Sequence, residues 1–378
     1  MKNNFDYIIV GAGAAGLSLV NYLLDQPQLA KKEILIIDKD NKIGNDRTWC
    51  FWQKTDSPFD DVLHAQWQHL YFHSAEFSQL LDIHPYRYKM LRSSDFYKLI
   101  WEKVKLFKNV SVVQDEVLEL ESDGRVACAN GTYKASLVFN SAIRHIPADK
   151  KKHYLLQHFK GWFVETPEAV FDVRKPVLMD FRVPQYGDCR FVYVLPTSPT
   201  KALVEYTLFS KAVLGQEVYD RELKAYMKEY YGLDTYTISE TEFGVIPMTN
   251  AKIPLRISSS VINIGTAGGH TKASTGYTFT FIQRKCQKMA ANLAIGKDPL
   301  SGLENMLNKY YLYDSIFLRV LSEGKYPSWR VFHDLFSQLP PTLVLDFLDE
   351  NSNLLDDIRL MNASHIPTFL KATFKEVF

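Results

Sequence analysis

Closely spaced cysteines are missing from this chain. Its four cysteines, Cys50, Cys128, Cys189 and Cys286, include no CxxC pair among 378 residues. That spacing excludes the common zinc and thioredoxin-type frameworks and fits a reducing compartment. There is no run of about 18 apolar residues, so no segment is expected to span a bilayer. The N-terminus enters a strand pattern almost at once, which leaves no place for a signal peptide. Neither sign of charge is in excess: 44 Lys and Arg stand against 43 Asp and Glu. Composition therefore supplies no general attraction to nucleic acid. Internal repeats and low-complexity tracts are also lacking.

Apolar and aromatic residues are abundant. Hydrophobic residues make up 46% of the chain, with 24 Phe, 21 Tyr and 6 Trp. They can fill a large core or line a pocket for a bulky apolar ligand, and the general rule that such residues go inside favours the core. The length suits two interleaved domains.

Residues 6–10 read as a buried strand, 14–24 as a helix and 33–38 ("EILIID") as a second buried strand, a βαβ start. "NDRTWCFW" at 45–52 falls where a loop is expected. Residues 67–91 alternate as antiparallel strands do, and "SSDFYKLIWEKVKLF" reads as a capped helix. Short strands broken by "SDG" and "ANG" turns occupy 110–139. In the middle, "PVLMDFRV", "RFVYVLPTS", "KALVEYTLF" and "TEFGVIPM" read as strands, with a helix over 218–231. A strand, a glycine-rich loop and a long helix follow from "VINIG" onward. Residues 303–378 look mainly helical, with a Pro-Pro break at 340–341. The fold class is α/β: a nucleotide-binding domain built from discontinuous segments, with an antiparallel sheet inserted into it. The expected boundaries are 1–65, 92–150 and 255–300 for the first unit, 66–91 and 151–254 for the second, and 301–378 for a helical C-terminal region.

Gly11, Gly13 and Gly16 form GxGxxG directly after a strand. The three supply a tight turn, close approach to a pyrophosphate and helix–strand packing, and the helix N-terminus faces the phosphates. Asp38 closes the second strand, where a carboxylate accepts from a ribose hydroxyl. Its charge disfavours a 2′-phosphate, which leaves NAD or FAD. A second glycine loop, Gly265 through Gly276, could hold the far end of a long dinucleotide, by analogy with FAD-binding folds.

"RTWCFW", "LVEYTLF", "EFGVIPM" and "IGTAGGHTKASTGYTF" together resemble the bacterial lycopene β-cyclases, over about residues 5–290. The resemblance implies a Rossmann-like FAD-binding domain of the aromatic-hydroxylase type, with the inserted sheet as substrate domain. It implies FAD in its reduced form, NADPH as electron donor, and lycopene and related linear carotenoids as substrates. The implied reaction closes linear ends to β-ionone rings, giving β-carotene without net redox change. Carried over, the cofactor-binding positions are Gly11, Gly13, Ala14, Ala15, Gly16, Asp38, Lys39, Arg47, Gly265, Thr266, Gly268 and Gly269. The catalytic ones are Glu205 and Glu242.

Such an isomerisation needs an acid that stays protonated near neutrality, and burial among apolar groups provides one. Glu205 lies in the apolar run "KALVEYTLF" and is the expected donor, unless strand alternation simply turns it to solvent. Related cyclases often carry a second acid immediately after it. Here Tyr206 stands there, which leaves Glu205 more isolated. Glu242 either supports it or makes a structural hydrogen bond. Trp162 can neighbour the cation or belong to the core. Arg47 can reach a phosphate or lie on the surface. His270 lacks metal-ligand partners at suitable spacing. A polyene of this kind must come from a bilayer, so peripheral membrane association of a cytoplasmic protein is expected, with "LPPTLVLDFL" and "IPTFLKATFKEVF" either dipping into lipid or packing onto the flavin domain. An FAD/NADPH-dependent monooxygenase on an apolar substrate is the alternative function.

Overall fold

The computed structural model describes residues 3–142, 152–303 and 309–377. The boundary expected at 150/151 lies outside the described residues. The chain opens with β1 (Asn4–Val10), α1 (Ala14–Leu24) and β2 (Ile34–Asp38). Next come β3 (Thr48–Gln53), β4 (Ala65–Trp67), β5 (His69–His73), β6 (Ser78–Asp82) and β7 (Arg87–Arg92), then α2 (Ser93–Val104). β8 (Val110–Gln114), β9 (Val117–Leu120), β10 (Arg125–Cys128) and β11 (Thr132–Asn140) follow. The middle holds β12 (Tyr154–Glu165), β13 (Val177–Asp180), β14 (Cys189–Ser198), β15 (Lys201–Ser210), α3 (Gln216–Tyr231) and β16 (Thr237–Thr249). β17 (Val261–Asn263) and α4 (Phe279–Ala294) precede α5 (Lys309–Glu323), α6 (Ser328–Gln338), α7 (Pro341–Leu348), α8 (Leu354–Ala363) and α9 (Ile366–Val377).

The first sheet runs β8-β2-β1-β11 in parallel, with β17 parallel to the end of β11 and a β9–β10 meander on the other part of β11. Its central strands are continuous apolar runs because helices cover them. α1, α2 and α4 pack on one face through Leu17, Val20, Phe96, Ile282 and Met289. This is the expected Rossmann-like sheet. The second sheet has the order β16-β12-β15-β14-β13-β5-β6 and is antiparallel except for the β13–β5 pair. α3 covers one face of it through Tyr219, Leu223 and Met227. α5, α6 and α7 reach the other face through Leu318, Phe332, Leu335 and Leu343. A small third sheet, β3-β7-β4, lies between them in sequence.

Three local expectations are corrected. Residues 48–53 are not loop but β3, paired residue for residue with β7 from Thr48↔Arg92 to Gln53↔Arg87. The β-branched and aromatic content of "TWCFWQ" suits a strand, and long-range pairing with β7 makes it one. α2 carries no side-chain cap. Ser93 is used otherwise: its hydroxyl accepts from the N–H groups of Asp46 and Arg47, at 2.9 and 3.0 Å, and ties down the chain entering β3. The helix of "LPPTLVLDFL" packs not on the nucleotide-type sheet but on the second one, in the cluster containing Phe72 and Phe191.

The C-terminal helices are tied to the glycine loop before α4 by one buried cation. Lys272 Nζ is inaccessible to solvent and lies 3.0 Å from Asp314 and 3.1 Å from Glu350. Removing one partner of a buried ion group leaves the others uncompensated, at a cost of about 3–5 kcal/mol. Lys272→Ala is therefore expected to lower unfolding stability by about that amount in urea titration, whereas substitution of the exposed Lys228 should change it by less than about 0.5 kcal/mol.

Candidate active site

A cavity of about 410 Å³ joins the two large sheets. The N-terminus of α1 (Gly13, Ala14), the end of the glycine loop (Thr275–Phe279) and the face of the second sheet opposite α3 all border it. Strand alternation decides which side chains reach it. Gln157, Phe159 and Gly161 of β12 share one face with Tyr193 and Leu195 of β14, Leu203 and Glu205 of β15, and Glu242, Gly244 and Ile246 of β16. The intervening residues Trp162, Val204, Tyr206 and Val192 point the other way, into the α3 core. Trp162 is thus a core residue, packed beside Tyr236, and Tyr206 is remote from the cavity.

The end at the first glycine loop is built as its glycines require. Gly11 has φ +94°, and a Cβ there would lie 2.2 Å from Ser141 Oγ. A Cβ on Gly16 would come within 1.9 Å of the Gly11 carbonyl, so only glycine lets α1 approach β1 this closely. A Cβ on Gly13, in contrast, meets nothing within 4 Å. That open cradle lies at a helix N-terminus without a side-chain cap or an acid in its first turn. Free N–H groups and the positive end of the helix dipole make it an anion site that fits a pyrophosphate. Asp38 is engaged locally: Oδ2 accepts from Ala12 N–H at 2.6 Å and Oδ1 from Asp40 N–H at 2.8 Å. Each oxygen keeps a further lone pair for a hydroxyl donor. Asp38 and the exposed Lys39 lie outside the cavity lining. Arg47 lines it, with Nη1 donating to the Asp46 carbonyl.

The second glycine loop packs on the first. A Cβ on Gly265 (φ +63°) would meet Ala15 Cβ at 2.7 Å, and one on Gly268 would meet the Asn263 carbonyl at 2.5 Å. Gly265, Gly268 and Gly269 are thus spent on close packing and turning, while Thr266 borders the cavity. His270 is buried, its Nδ1 accepting from Gly265 N–H at 3.1 Å. Burial holds its pKa well below the ordinary value. Among the described residues no group of His, Cys, Asp and Glu could hold a metal ion.

Two carboxyls sit at the far end. Glu205 and Glu242 lie on flanking strands, both paired with Gly161 of the strand between them. The Glu242 side chain, with that of Leu203, leans into the gap left by that glycine. Glu205 is not isolated: the second carboxyl arrives across the sheet instead of from the next residue. Burial raises the pKa of Glu205 well above the ordinary carboxyl value, and the nearby Glu242 charge raises it further, while Thr207 Oγ1 donates to Oε1 at 2.8 Å and opposes the shift. Burial also raises Glu242, but less, because Thr48, Glu205 and the Arg47 and Arg92 cations favour its ionised form. One carboxyl holds the proton and the other leans toward the charge. Glu242 Oε2 and Thr48 Oγ1 are buried without a hydrogen-bond partner, although they adjoin each other.

The rest of the pocket is neutral around Glu205. Burial drives the Cys50 thiol upward, and the two carboxyls add to the effect. Tyr88 and Tyr193 are raised by burial, and Tyr277 is pushed up to about 12. The Tyr88 and Tyr277 hydroxyls are 3.5 Å apart. These phenols, Gly161 and Gln157 were not singled out from the sequence. Period-2 alternation from Glu205 marks Leu203 and Thr207, but it takes strand pairing to add Tyr193 and Gly161.

A carboxyl whose folded pKa exceeds its unfolded value stabilises the fold at low pH and loses that contribution as pH rises through the folded value. Wild-type protein should therefore lose thermal stability relative to Glu205→Gln as pH climbs from the ordinary carboxyl range through the raised Glu205 value. Parallel melting curves across that range would contradict the assignment.

The profile of a family described as lycopene cyclase protein matches residues 6–374. Among curated relatives, a lycopene beta-cyclase of Pantoea ananas is 25% identical, over 96% of this chain and 95% of that protein. A chloroplastic neoxanthin synthase of Solanum tuberosum is 27% identical over 73% of this chain. The chain spans 58% of the length of that synthase. In solved structures, a geranylgeranyl bacteriochlorophyll reductase-like protein of Thermoplasma acidophilum superposes with TM-score 0.70 at 11% identity, covering 98% of this chain and 99% of the other. A flavin-dependent brominase gives 0.58 at 12% identity, covering 95% and 94%. At such identities these likenesses bear on the fold alone.

Proposed function

The chain belongs to the lycopene cyclase family, and we propose that it is a lycopene beta-cyclase that closes the linear ends of a carotenoid to β-ionone rings by acid catalysis. The observation that carries this reading is the pair of carboxyls, one strongly biased to its protonated form, in a cavity that reaches the Gly13 anion cradle. The proposed cofactor is FAD. Its pyrophosphate would sit on the α1 N-terminus at Gly11, Gly13, Ala14, Ala15 and Gly16, with Asp38 and Lys39 beside the ribose. Arg47, Gly265, Thr266, Gly268 and Gly269 would hold the remainder. When bound and reduced, with NADPH as electron donor, the flavin supplies an electron-rich surface that favours nearby positive charge.

The protein's own part is proton management. Glu205 gives its proton to the terminal double bond. The neighbouring alkene attacks the resulting tertiary cation and closes the ring, and a ring proton then passes to the carboxylate pair, which restores its single proton and leaves a product that is an isomer of the substrate. Glu242 favours positive charge in the cavity and keeps the Glu205 proton in place until substrate arrives. Neutral Cys50, Tyr88, Tyr193 and Tyr277 exclude bulk water around the cation, and the three tyrosine rings offer it π-electron density. The sheet β8-β2-β1-β11 serves the cofactor in this scheme and the second sheet serves the substrate, on the division 1–65, 92–150 and 255–300 against 66–91 and 151–254.

A hydrocarbon with no polar handle is taken from lipid, so peripheral membrane association belongs to the proposal. No helix of the described residues is long and apolar enough to cross a membrane. α9 exposes Ile366, Leu370, Phe374 and Val377 along one stripe, with Lys371 and Lys375 nearby, as a helix lying on lipid would.

Expression in a lycopene-accumulating bacterium should convert the pigment to cyclic carotenoids of unchanged mass. The purified, reduced protein should turn over without oxygen; a product heavier by one oxygen atom would overturn the reading in favour of a monooxygenase. Glu205→Gln should lose at least about 10²-fold in turnover with its flavin retained. Asp38→Ala should lower the flavin content of purified protein, and an unchanged flavin-to-protein absorbance ratio would remove Asp38 from the cofactor site.

A further inference from the structure

Gly161 occupies an unusual place. It is in the middle of β12, where glycine weakens a strand, and its backbone lies outside the left-handed region, so any residue could adopt its conformation. What singles it out is its register. It is directly opposite Glu205 on one side and Glu242 on the other. Cross-strand partners project to the same face. A side chain at position 161 would therefore stand between the two carboxyls. A Cβ there would approach Leu203 Cδ1 at 2.9 Å, Glu242 Cγ at 3.1 Å and Glu242 Oε1 at 3.4 Å. Strands two places apart in a sheet are separated by about 9.5 Å. Glu242 reaches toward Glu205 through the space of the missing side chain.

We propose that Gly161 is a positioning residue: its lack of a side chain allows Glu242 to reach Glu205 across the central strand and makes the two a coupled acid pair. This rests on reading Glu205 as the acid of the proposed cyclisation. Several groups face the pair. They are Arg47, Thr48 and Cys50 on or beside β3, Tyr88 and Arg92 of β7, Tyr193 of β14, Thr207 of β15 and Tyr277 of the loop before α4. Of these only Arg47 and Arg92 are cations, and Arg92 is also paired with Glu240. Both cations act on Glu242. A Cβ at 161 pushes Glu242 aside and weakens the like charge that helps keep Glu205 protonated. Glu205 then ionises at lower pH, and the alkaline limb of activity moves with it.

The experiment titrates the Glu205 carboxyl in the flavin-loaded protein by infrared spectroscopy, with the band assigned by its loss in Glu205→Gln. Gly161→Ala is expected to lower the midpoint by about one pH unit or more. It should also cost about tenfold in turnover above neutrality, with less loss at acid pH. Glu242→Gln should give the same drop on its own, and adding Gly161→Ala to it should shift the midpoint no further. Should Gly161→Ala alone fail to retain flavin, Gly161→Ala with Leu203→Ala, which removes the 2.9 Å contact, is titrated in its place. An unchanged midpoint in the folded 161 variant, or in Glu242→Gln, overturns the proposal. If wild-type protein does not cyclise lycopene but the midpoint moves as described, the functional reading fails and the role of Gly161 stands.

Discussion

Two carboxyl groups enclosed in one cavity cannot both be ionised at ordinary pH. Bringing a second negative charge beside the first without water to screen it costs more than keeping a proton. The site is organised around that restriction. Around Glu205 lie a thiol, phenols and apolar side chains, and among the described residues the Thr207 hydroxyl is the one donor that favours its charge. Glu242, next to it, feels Arg47 and Arg92. The asymmetry decides which group keeps the proton. Under the proposed reading, it also decides which group is the acid.

The sheets provide the geometry. A seven-stranded antiparallel sheet is rigid in register, so β12, β15 and β16 hold Gly161, Glu205 and Glu242 in one row. Its other face is filled by α3, and its outer part by α5–α7, so the row cannot relax by sheet bending. The parallel sheet contributes the second half of the cavity. There, glycines permit contacts of backbone on backbone, and Gly265 against Ala15 fastens the two glycine loops together. Lys272 carries the connection onward to the C-terminal helices by pairing with Asp314 and Glu350.

Strand β3 shows how local patterns mislead. "TWCFWQ" follows a loop-like stretch and has no clean alternation of polarity, so it reads as irregular. It becomes a strand because β7 offers its edge, and in doing so it delivers Thr48 and Cys50 to the carboxyls. Trp162 shows the converse. Its type suggests a neighbour for a cation, but one step along β12 from Gly161 turns it to the opposite face.

The sequence alone determined the nucleotide-type sheet, its glycine fingerprint and the inserted strands, while the resemblance to a family pointed to Glu205 and Glu242. These rest on short-range rules: apolar runs, glycines at fixed offsets and recurring motifs a few residues long. Tertiary structure decided what the acids meet. β14 and β15 are buried on both faces, so no alternation of polarity along them reveals which side faces the cavity. The meeting of Glu205 with Glu242 depends on strand register and on Gly161 between them. Register is a relation between distant segments, set by the packing of whole faces, and no local window of residues contains it.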